Sequence, residues 1–389
     1  MTKTIFRLIS SGVLAVLTGL WIFLAKSCPA FWFRFYPALS RRLMTLLSGL
    51  TSALPIPVCE ILALLAALWL IFTFVRALHR KRFVRWLSGL LLAAVLLVNL
   101  YVSVWGLNYF APPVNEVLQL PDERYTTAQL RAATEYFREL AGESARLLPR
   151  NADGTLQGAG FDACADSVQT CFETMKTARG APFDGSTARV KKLLSSRLCG
   201  KLGTTGVFVC LTGESCVSST TYPAALPLTM AHEMAHSKGV MREYEANIVA
   251  NYVCLKSSDD FVLYSGLTHT VYDLLSLYVT QTGDSEGQDA FYDMIDDAIS
   301  TERYSVFLFW TKQSSFFSGI SEWFNNLYLK LNGQSDGTGS YKEPPVVTEP
   351  SPPSDTPGNE PAPPEPSTPT VVSYTQTQRI MLELFLAQK

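Results

Sequence analysis

Two histidines with the spacing of metal ligands, His232 and His236, stand four residues apart, and Glu233 directly follows the first of them. On a helix, residues four apart lie on one face, one turn above the other, so both imidazoles can bind one zinc ion. Glu233 is then rotated to the edge of that face, where its carboxylate can reach a water molecule on the metal rather than the metal itself. The pattern therefore predicts two zinc ligands and a general base.

A third ligand has to come from a second element, since a catalytic zinc has three protein ligands and an open fourth position. Gly239 lies three residues past His236 and is a natural helix stop, because glycine adopts the left-handed conformation at low cost. A new helix can then carry Glu243 and, one turn later, Asn247 on one face. We expect Glu243 to be the third ligand. We expect the side chain of Asn247 to support the ligands through a hydrogen bond. Glu245 is a less favoured ligand, because it points to a different side of that helix.

The segment from Glu243 to Asn247 resembles the glutamate helix of the gluzincin peptidases, which usually reads Glu-x-x-x-Asp; here Asn247 stands in place of the aspartate. The resemblance implies a zinc peptidase with a zincin-like domain. Two other interpretations stay open: a surface helix that happens to carry two histidines, and a zinc ion bound only for structure. Structural zinc sites favour closed sets of Cys and His ligands, and the sequence has no Cys-x-x-Cys pair.

Apolar residues are concentrated near the N-terminus, in three runs over residues 5–25, 57–75 and 86–106. Each run is about long enough to cross a hydrocarbon core of roughly 30 Å. We therefore expect three transmembrane helices, with an interfacial amphipathic helix over residues 31–53 between the first two. The net charge of −2 gives no indication of a nucleic-acid partner, and the lipid bilayer is the expected one.

The orientation of these helices follows from the densest basic cluster in the chain, which lies between the second and third runs. Its members are Arg76, Arg80, Lys81, Arg82 and Arg85. Short connections rich in Lys and Arg stay in the cytoplasm, so the third run leads outward and the chain after about Phe110 is extracytoplasmic. The sequence thus predicts a multi-pass protein of the cell membrane whose catalytic domain lies outside the cytoplasm.

The chain divides into a transmembrane region over residues 1–110, a zincin-like domain over 111–342, a proline-rich spacer over 343–372 and a C-terminal amphipathic helix over 373–389. The predicted fold class is mainly α, with a small β-sheet. Residues 343–370 hold 11 of the 22 prolines, a composition typical of disordered or polyproline spacers. In the last segment, apolar residues recur at helical spacing, so we expect this helix to dock on another part of the protein. These residues are Ile380, Met381, Leu384 and Phe385.

Within the predicted domain, caps and periodicity indicate helices over residues 127–147, 161–177, 186–198 and 260–280. Two β-rich runs, which begin at Gly206 and Cys216, precede the histidine helix. The nearer strand could bind an extended peptide by strand addition, or the pair could be a hairpin that only covers the core. His269, in the last of these helices, is a candidate transition-state donor or a packed polar residue.

The whole arrangement resembles a family of bacterial membrane proteins classed as domain of unknown function 3810. Its members have N-terminal spans, a His-Glu-x-x-His helix with glycine three residues on, and then Glu-x-Glu-Ala-Asn. A late motif from Tyr328 to Tyr341 also matches, and it reads Tyr-Leu-Lys-x-Asn-Gly-Gln-x-Asp-Gly-x-x-Ser-Tyr. In the relatives this motif leads directly into a final apolar helix, whereas here the proline-rich spacer intervenes. The resemblance implies a zinc metallopeptidase and indicates no substrate.

The sequence therefore predicts a membrane-anchored, zinc-dependent metallopeptidase that hydrolyses peptide bonds outside the cytoplasm. In this interpretation a peptide or protein is the substrate and Glu233 is the catalytic base. The rival interpretation is a non-catalytic membrane sensor or envelope scaffold that retains a zincin fold. The intact Glu233 favours the enzyme, since a zinc-binding scaffold has no need of a general base.

Overall fold

The computed structural model describes residues 2–114, 125–179, 187–283, 297–313, 316–331, 336–341 and 375–387, together with residues 185, 286, 295 and 334. The described chain is mainly helical with one small sheet, as the sequence predicts. Its helices are α1 (Thr2–Ser27), α2 (Pro29–Trp32), α3 (Tyr36–Thr51), α4 (Val58–His79), α5 (Phe83–Val104), α6 (Thr127–Leu147), α7 (Phe161–Arg179), α8 (Ser196–Leu202), α9 (Leu226–Ser237), α10 (Glu243–Leu255), α11 (Asp260–Thr282), α12 (Asp297–Gln313), α13 (Phe316–Leu331) and α14 (Gln376–Leu386). Its strands are β1 (Lys191–Lys192), β2 (Gly206–Val209) and β3 (Glu214–Val217). The proline-rich spacer predicted over residues 343–372 lies outside the described residues.

Helices α1, α4 and α5 are long and apolar enough to cross a membrane, as the three apolar runs predict. At 1.5 Å per residue, a helix the length of α5 extends roughly 33 Å, close to the thickness of a hydrocarbon core. The first and third of these helices are joined by polar contacts. The Asn99 amide donates to the Thr18 hydroxyl over 3.0 Å, and the Arg7 guanidinium donates to the Arg85 carbonyl over 2.8 Å. These three helices support association with a membrane.

The connection between α1 and α4 contains the amphipathic helix α3, which begins at Tyr36 and ends at Thr51 rather than filling residues 31–53. Its buried residues recur every four positions and therefore share one face. They are Tyr36, Ser40, Met44 and Ser48. The Tyr36 hydroxyl donates to the Val102 carbonyl over 3.2 Å, and the Ser40 hydroxyl donates to the Val104 carbonyl over 2.9 Å. Helix α3 thus lies against the last turn of α5.

The domain core is formed mainly by α6, α7, α9, α10 and α11, whose apolar faces meet around buried side chains such as Leu130, Phe172 and Met230. The C-terminal helix α14 packs into the same core, where Ile380 and Met381 are fully buried. Burial of side chains of this size removes apolar surface from water and stabilises the packing of α14. Segments that the spacer separates in sequence therefore share one core.

The described strands form a three-stranded sheet in the order β1-β3-β2, with β1 parallel and β2 antiparallel to β3. This sheet corrects the helix predicted over residues 186–198, because residues 187–190 have no regular structure, β1 follows and α8 begins only at Ser196. The cause is tertiary, since the Lys191 ammonium lies 2.7 Å from the buried carboxylate of Glu214 on β3. Strand pairing and a buried ion pair outweigh the weak helix preference of this segment.

Glu214 also joins the sheet to α4, because its carboxylate accepts hydrogen bonds from the first backbone amides of that helix. The Val58 amide lies 2.9 Å from one carboxylate oxygen, and the Cys59 amide lies 2.7 Å from the other. Amides in the first turn have no partner within the helix, and negative charge at a helix N-terminus is favourable. The sheet and the apolar helices are therefore directly connected.

Candidate metal centre

The turn between α9 and α10 sets the geometry of the site, because the two histidines lie on the first helix and Glu243 begins the second. Gly239, within this turn, has a φ of 88°, in the left-handed region that glycine adopts at low cost. Its amide donates to the His236 carbonyl over 2.9 Å and so helps to end α9. The chain can then reverse, and α10 returns the Glu243 carboxylate to the histidines.

Three potential ligand atoms converge at this turn. The Nε2 atoms of His232 and His236 lie 3.1 Å apart. Oε2 of Glu243 lies 3.1 Å from Nε2 of His232 and 3.5 Å from Nε2 of His236. His236 and Glu243 are both buried, so water does not screen their interaction well. The structure therefore brings together the three residues that the sequence predicts as ligands, in a group that could hold a metal ion.

The hydrogen bonds of the two Nδ1 atoms determine which ring nitrogen of each histidine is available to bind a metal ion. Nδ1 of His236 lies 2.7 Å from the Val240 carbonyl, and Nδ1 of His232 lies 2.8 Å from Oδ1 of Asn247. Both partners are carbonyl oxygens, which only accept, so each Nδ1 carries a proton, and a neutral imidazole then presents the lone pair of its Nε2. Two lone pairs and a carboxylate oxygen that face one point repel each other unless positive charge lies between them.

The electrostatics of the cluster point the same way. Burial alone would lower the pKa of His236, but the adjacent Glu243 carboxylate outweighs it and raises that pKa to about 9. Burial alone would raise the pKa of Glu243, but the charge of His236 outweighs it and holds that pKa well below its usual range. The cluster therefore attracts positive charge, which a proton on His236 or a metal ion could supply.

Glu233 lies beside this cluster without belonging to it. Its side chain is buried, and this burial raises the pKa of the carboxyl. Gly206 of β2 lies so close that a Cβ atom added there would be 2.6 Å from Oε1 of Glu233. The Glu233 carbonyl is held by the Ser215 hydroxyl of β3, which donates over 2.8 Å. The carboxylate thus packs against β2, beside the three potential ligands.

A cleft of about 870 Å³ opens over the cluster, and Glu233 and all three potential ligands line it. On one side the lining is β2, one of the two edge strands of the described sheet. On another side it is α13 together with the 3₁₀ turn Gly337–Tyr341. A cleft with an edge strand along one wall has the shape to bind an extended chain.

Comparison with known proteins places the chain in a family. Residues 34–346 match the family described as "Protein of unknown function (DUF3810)". The chain belongs to this family. The matched range includes the sheet, the cleft and two of the three apolar helices, and it ends before α14. Neither a curated protein nor a solved structure is significantly similar to this DUF3810 protein.

Two further residues that the sequence put forward lie outside the cluster. Glu245 is buried, but its carboxylate lies 2.6 Å from the Arg242 guanidinium and accepts from the Val114 amide over 3.3 Å. It therefore ties α10 to the segment after α5. His269 is exposed on α11 and is not one of the described residues that line the cleft. Both roles predicted for His269 stay predictions.

Tyr328 and Tyr341 line the cleft, although the sequence assigned them no role. They stand at the two ends of the late motif, which was the signal that could have identified them. Between them, Gly337 has a φ of 57°, and a Cβ atom added there would collide with Asn326, since it would lie 1.7 Å from its Oδ1. The Tyr341 carbonyl accepts from the Asn247 amide over 3.3 Å, so the motif is linked to the cluster.

Proposed function

We propose that this DUF3810 protein is a zinc-dependent metallopeptidase with a zincin-like domain, anchored in the cell membrane. The observation that carries the proposal is the convergence of His232, His236 and Glu243 beside the carboxylate of Glu233. Two histidines and a glutamate form a donor set typical of catalytic zinc. Ligands about 2.0–2.1 Å from a tetrahedral ion lie roughly 3.3 Å apart. The measured separations of 3.1, 3.1 and 3.5 Å suit such an ion.

The chain's own residues account for the remaining parts of a hydrolytic site. A zinc ion held here would supply Lewis acidity, which polarises a carbonyl group and lowers the pKa of water. Glu233 would accept a proton from the attacking water, and its raised pKa keeps it a stronger base than an exposed glutamate. Asn247 and the Val240 carbonyl hold the two imidazoles in the tautomer that leaves Nε2 free to bind metal.

The cleft supports a peptide as substrate. Gly206 and Val207 of β2 line it, and an edge strand can bind an extended peptide through main-chain hydrogen bonds. Tyr328 and Tyr341 lie along the other side, where a hydroxyl group could donate to a substrate carbonyl. We therefore favour strand addition over a hairpin that only covers the core.

The proposal places the site outside the cytoplasm. The connection between α4 and α5 carries Arg80, Lys81 and Arg82, and short basic connections stay in the cytoplasm. The ends of the apolar helices that adjoin the domain, Ser27, Val58 and Val104, then lie on the opposite side of the membrane.

The test compares full-length wild-type protein with Glu233→Gln on a peptide library, with zinc content measured on both. We expect the wild type to cleave and the variant to keep its zinc but lose cleavage, because an amide cannot accept the proton. The rival interpretation, a membrane sensor or scaffold, predicts zinc in both and cleavage by neither. Equal cleavage by both would remove Glu233 from the mechanism.

A further inference from the structure

The candidate metal centre lies directly against the end of an apolar helix. Trp105 is the first residue after α5, and its indole N–H donates to the carbonyl of His236 over 3.2 Å. The rings of these two residues are 6.4 Å apart, edge to face. If α5 crosses the membrane, one of the three potential ligands therefore lies within a few ångströms of the end of the span.

Two helices beside the cleft lie at the same level. Helix α3 contacts the carbonyls of Val102 and Val104 in the last turn of α5. From α13, the hydroxyl of Tyr328 lies 3.1 Å from that of Tyr101, in the same turn. If that turn marks the boundary of the hydrocarbon core, the parts of α3 and α13 that contact it lie at the depth of the lipid headgroups.

Both helices expose apolar faces at this depth. On α13 the exposed apolar residues follow the spacing i, i+3, i+4 and i+7, so they form one stripe. They are Ile320, Trp323, Phe324 and Leu327, and Trp323 is 59% exposed. On α3 the face opposite the buried one exposes Leu39, Leu46 and Leu50, and Leu50 is 66% exposed. Stripes of this kind are unfavourable in water and favourable at a membrane surface.

The charge of this region suits a lipid surface. Lys26 lies in the last turn of α1, and the connection between α1 and α4 carries Arg34, Arg41 and Arg42. No acidic residue occurs from Lys26 to Cys59. Phe31 and Phe35 are exposed near the end of α1. Aromatic rings and basic side chains together are typical of amphipathic segments that lie in a membrane interface.

We propose that the exposed faces of α3 and α13 are seated in the membrane interface, so that the cleft opens at the bilayer surface. The substrates are then peptides tethered to the bilayer, with the scissile bond a few residues from an apolar anchor. This inference rests on the proposed function and adds its substrate class. A tether holds the peptide at the depth of the cleft and raises its effective concentration there.

The first test measures depth and does not depend on activity. Full-length protein in anionic vesicles carries one nitroxide at Leu46→Cys or at Leu327→Cys, in a Cys28→Ser background that removes the exposed native thiol. We expect both labels to collide several-fold more with oxygen, relative to a water-soluble nickel chelate, than a label at Glu135→Cys on the exposed face of α6. Ratios equal to that of the Glu135 control would overturn the seating of α3 and α13 in the membrane.

The second test measures substrate choice with one degenerate peptide library in three forms: free, acylated at the N-terminus, and fused to a single apolar span. Each form is incubated with the same preparation of proteoliposomes that contain the protein. We expect cleavage of both tethered forms to exceed that of the free form at least tenfold, at positions near the anchor. A difference between the acylated and span-fused forms would show which anchor the cleft accepts.

Two controls separate the failure of this inference from the failure of the proposed function. Equal, Glu233-dependent cleavage of all three forms would overturn the substrate class and leave the peptidase intact, whereas no Glu233-dependent cleavage would overturn both. Trp323→Glu should remove the preference for tethered peptides while cleavage of the free form continues. Leu147→Glu, at an exposed leucine of α6, should change neither the preference for tethered peptides nor the cleavage of the free form.

Discussion

At the residue scale, the site depends on the atoms behind the potential ligands as much as on the ligands themselves. Oδ1 of Asn247 holds Nδ1 of His232 at 2.8 Å and so keeps Nε2 turned toward Glu243. An aspartate at this position could also accept from Nδ1, as a charged group. The neutral amide also donates to the Tyr341 carbonyl, which a carboxylate cannot do.

Asn247→Leu removes this acceptor without removing a ligand. We expect zinc affinity to fall about 10- to 100-fold, as is usual when the partner of a ligating histidine is lost. Asn247→Asp is the matched control, because it keeps an acceptor for Nδ1 and should bind zinc nearly as well as the wild type. Competition with a chromogenic chelator measures both. A wild-type affinity in Asn247→Leu would show that His232 does not need this hydrogen bond.

Gly206→Ala tests the space that the general base occupies. The added Cβ would lie 2.6 Å from Oε1 of Glu233, so the carboxylate has to shift, while the three potential ligands stay untouched. We expect hydrolysis to fall at least about tenfold with zinc content unchanged, since proton transfer requires the base within hydrogen-bond reach. Gly319→Ala is the control, because an added Cβ there meets no atom within 4 Å. Equal activity of the two variants would contradict the position assigned to the base.

At the scale of elements, the contact between β3 and the start of α4 joins the domain to the apolar helices. Glu214 is 2% exposed and is held by the Lys191 ammonium and by two backbone amides. Burial alone would raise the pKa of Glu214, but these donors outweigh it and lower that pKa. A carboxylate buried in this way stabilises the fold only while it is charged.

Glu214→Gln should therefore lower the free energy of unfolding by about 3 kcal/mol near neutral pH, because it leaves the buried Lys191 ammonium without its charged partner. The folded-state pKa is depressed, so this stabilisation is present above the unfolded pKa of about 4.3 and is lost as pH falls below it. When unfolding in detergent is measured from pH 7 to acid, the free energies of unfolding of the wild type and Glu214→Gln should converge. Glu135→Gln, at an exposed i,i+4 pair, should change stability by less than about 0.5 kcal/mol. A difference in the free energy of unfolding between wild type and Glu214→Gln that persists in acid would refute this account.

The elements also show how far the sequence determines the site. The spacing of His232 and His236, the stop at Gly239 and the position of Glu243 all depend on local helix geometry, so the cluster could be predicted. The strand at Lys191 could not, because it depends on Glu214, more than twenty residues later in the chain. Tyr328 and Tyr341 belong to the late motif, but their place in the cleft depends on the packing of α13 and the 3₁₀ turn, which the motif alone does not show.

At the scale of the whole molecule, the account requires the domain and the α4–α5 connection to lie on opposite sides of the membrane. Reporter domains fused after Arg82 should be active in the cytoplasm, and those fused after Pro149 should be active outside it. The physical reason is the basic cluster at Arg80, Lys81 and Arg82, which resists translocation. A cytoplasmic signal from the Pro149 fusion would place the cleft on the cytoplasmic side.

The central claim is that three named side chains bind zinc, and the zinc content of purified full-length variants tests it most directly. We predict one zinc ion per chain in the wild type, in Glu233→Gln and in Glu245→Gln, because neither glutamate belongs to the cluster. His232→Ala, His236→Ala and Glu243→Ala should each lose most of the metal, since each removes one of three ligands. Wild-type protein without zinc, or a Glu243→Ala variant that keeps zinc while Glu245→Gln loses it, would contradict the account.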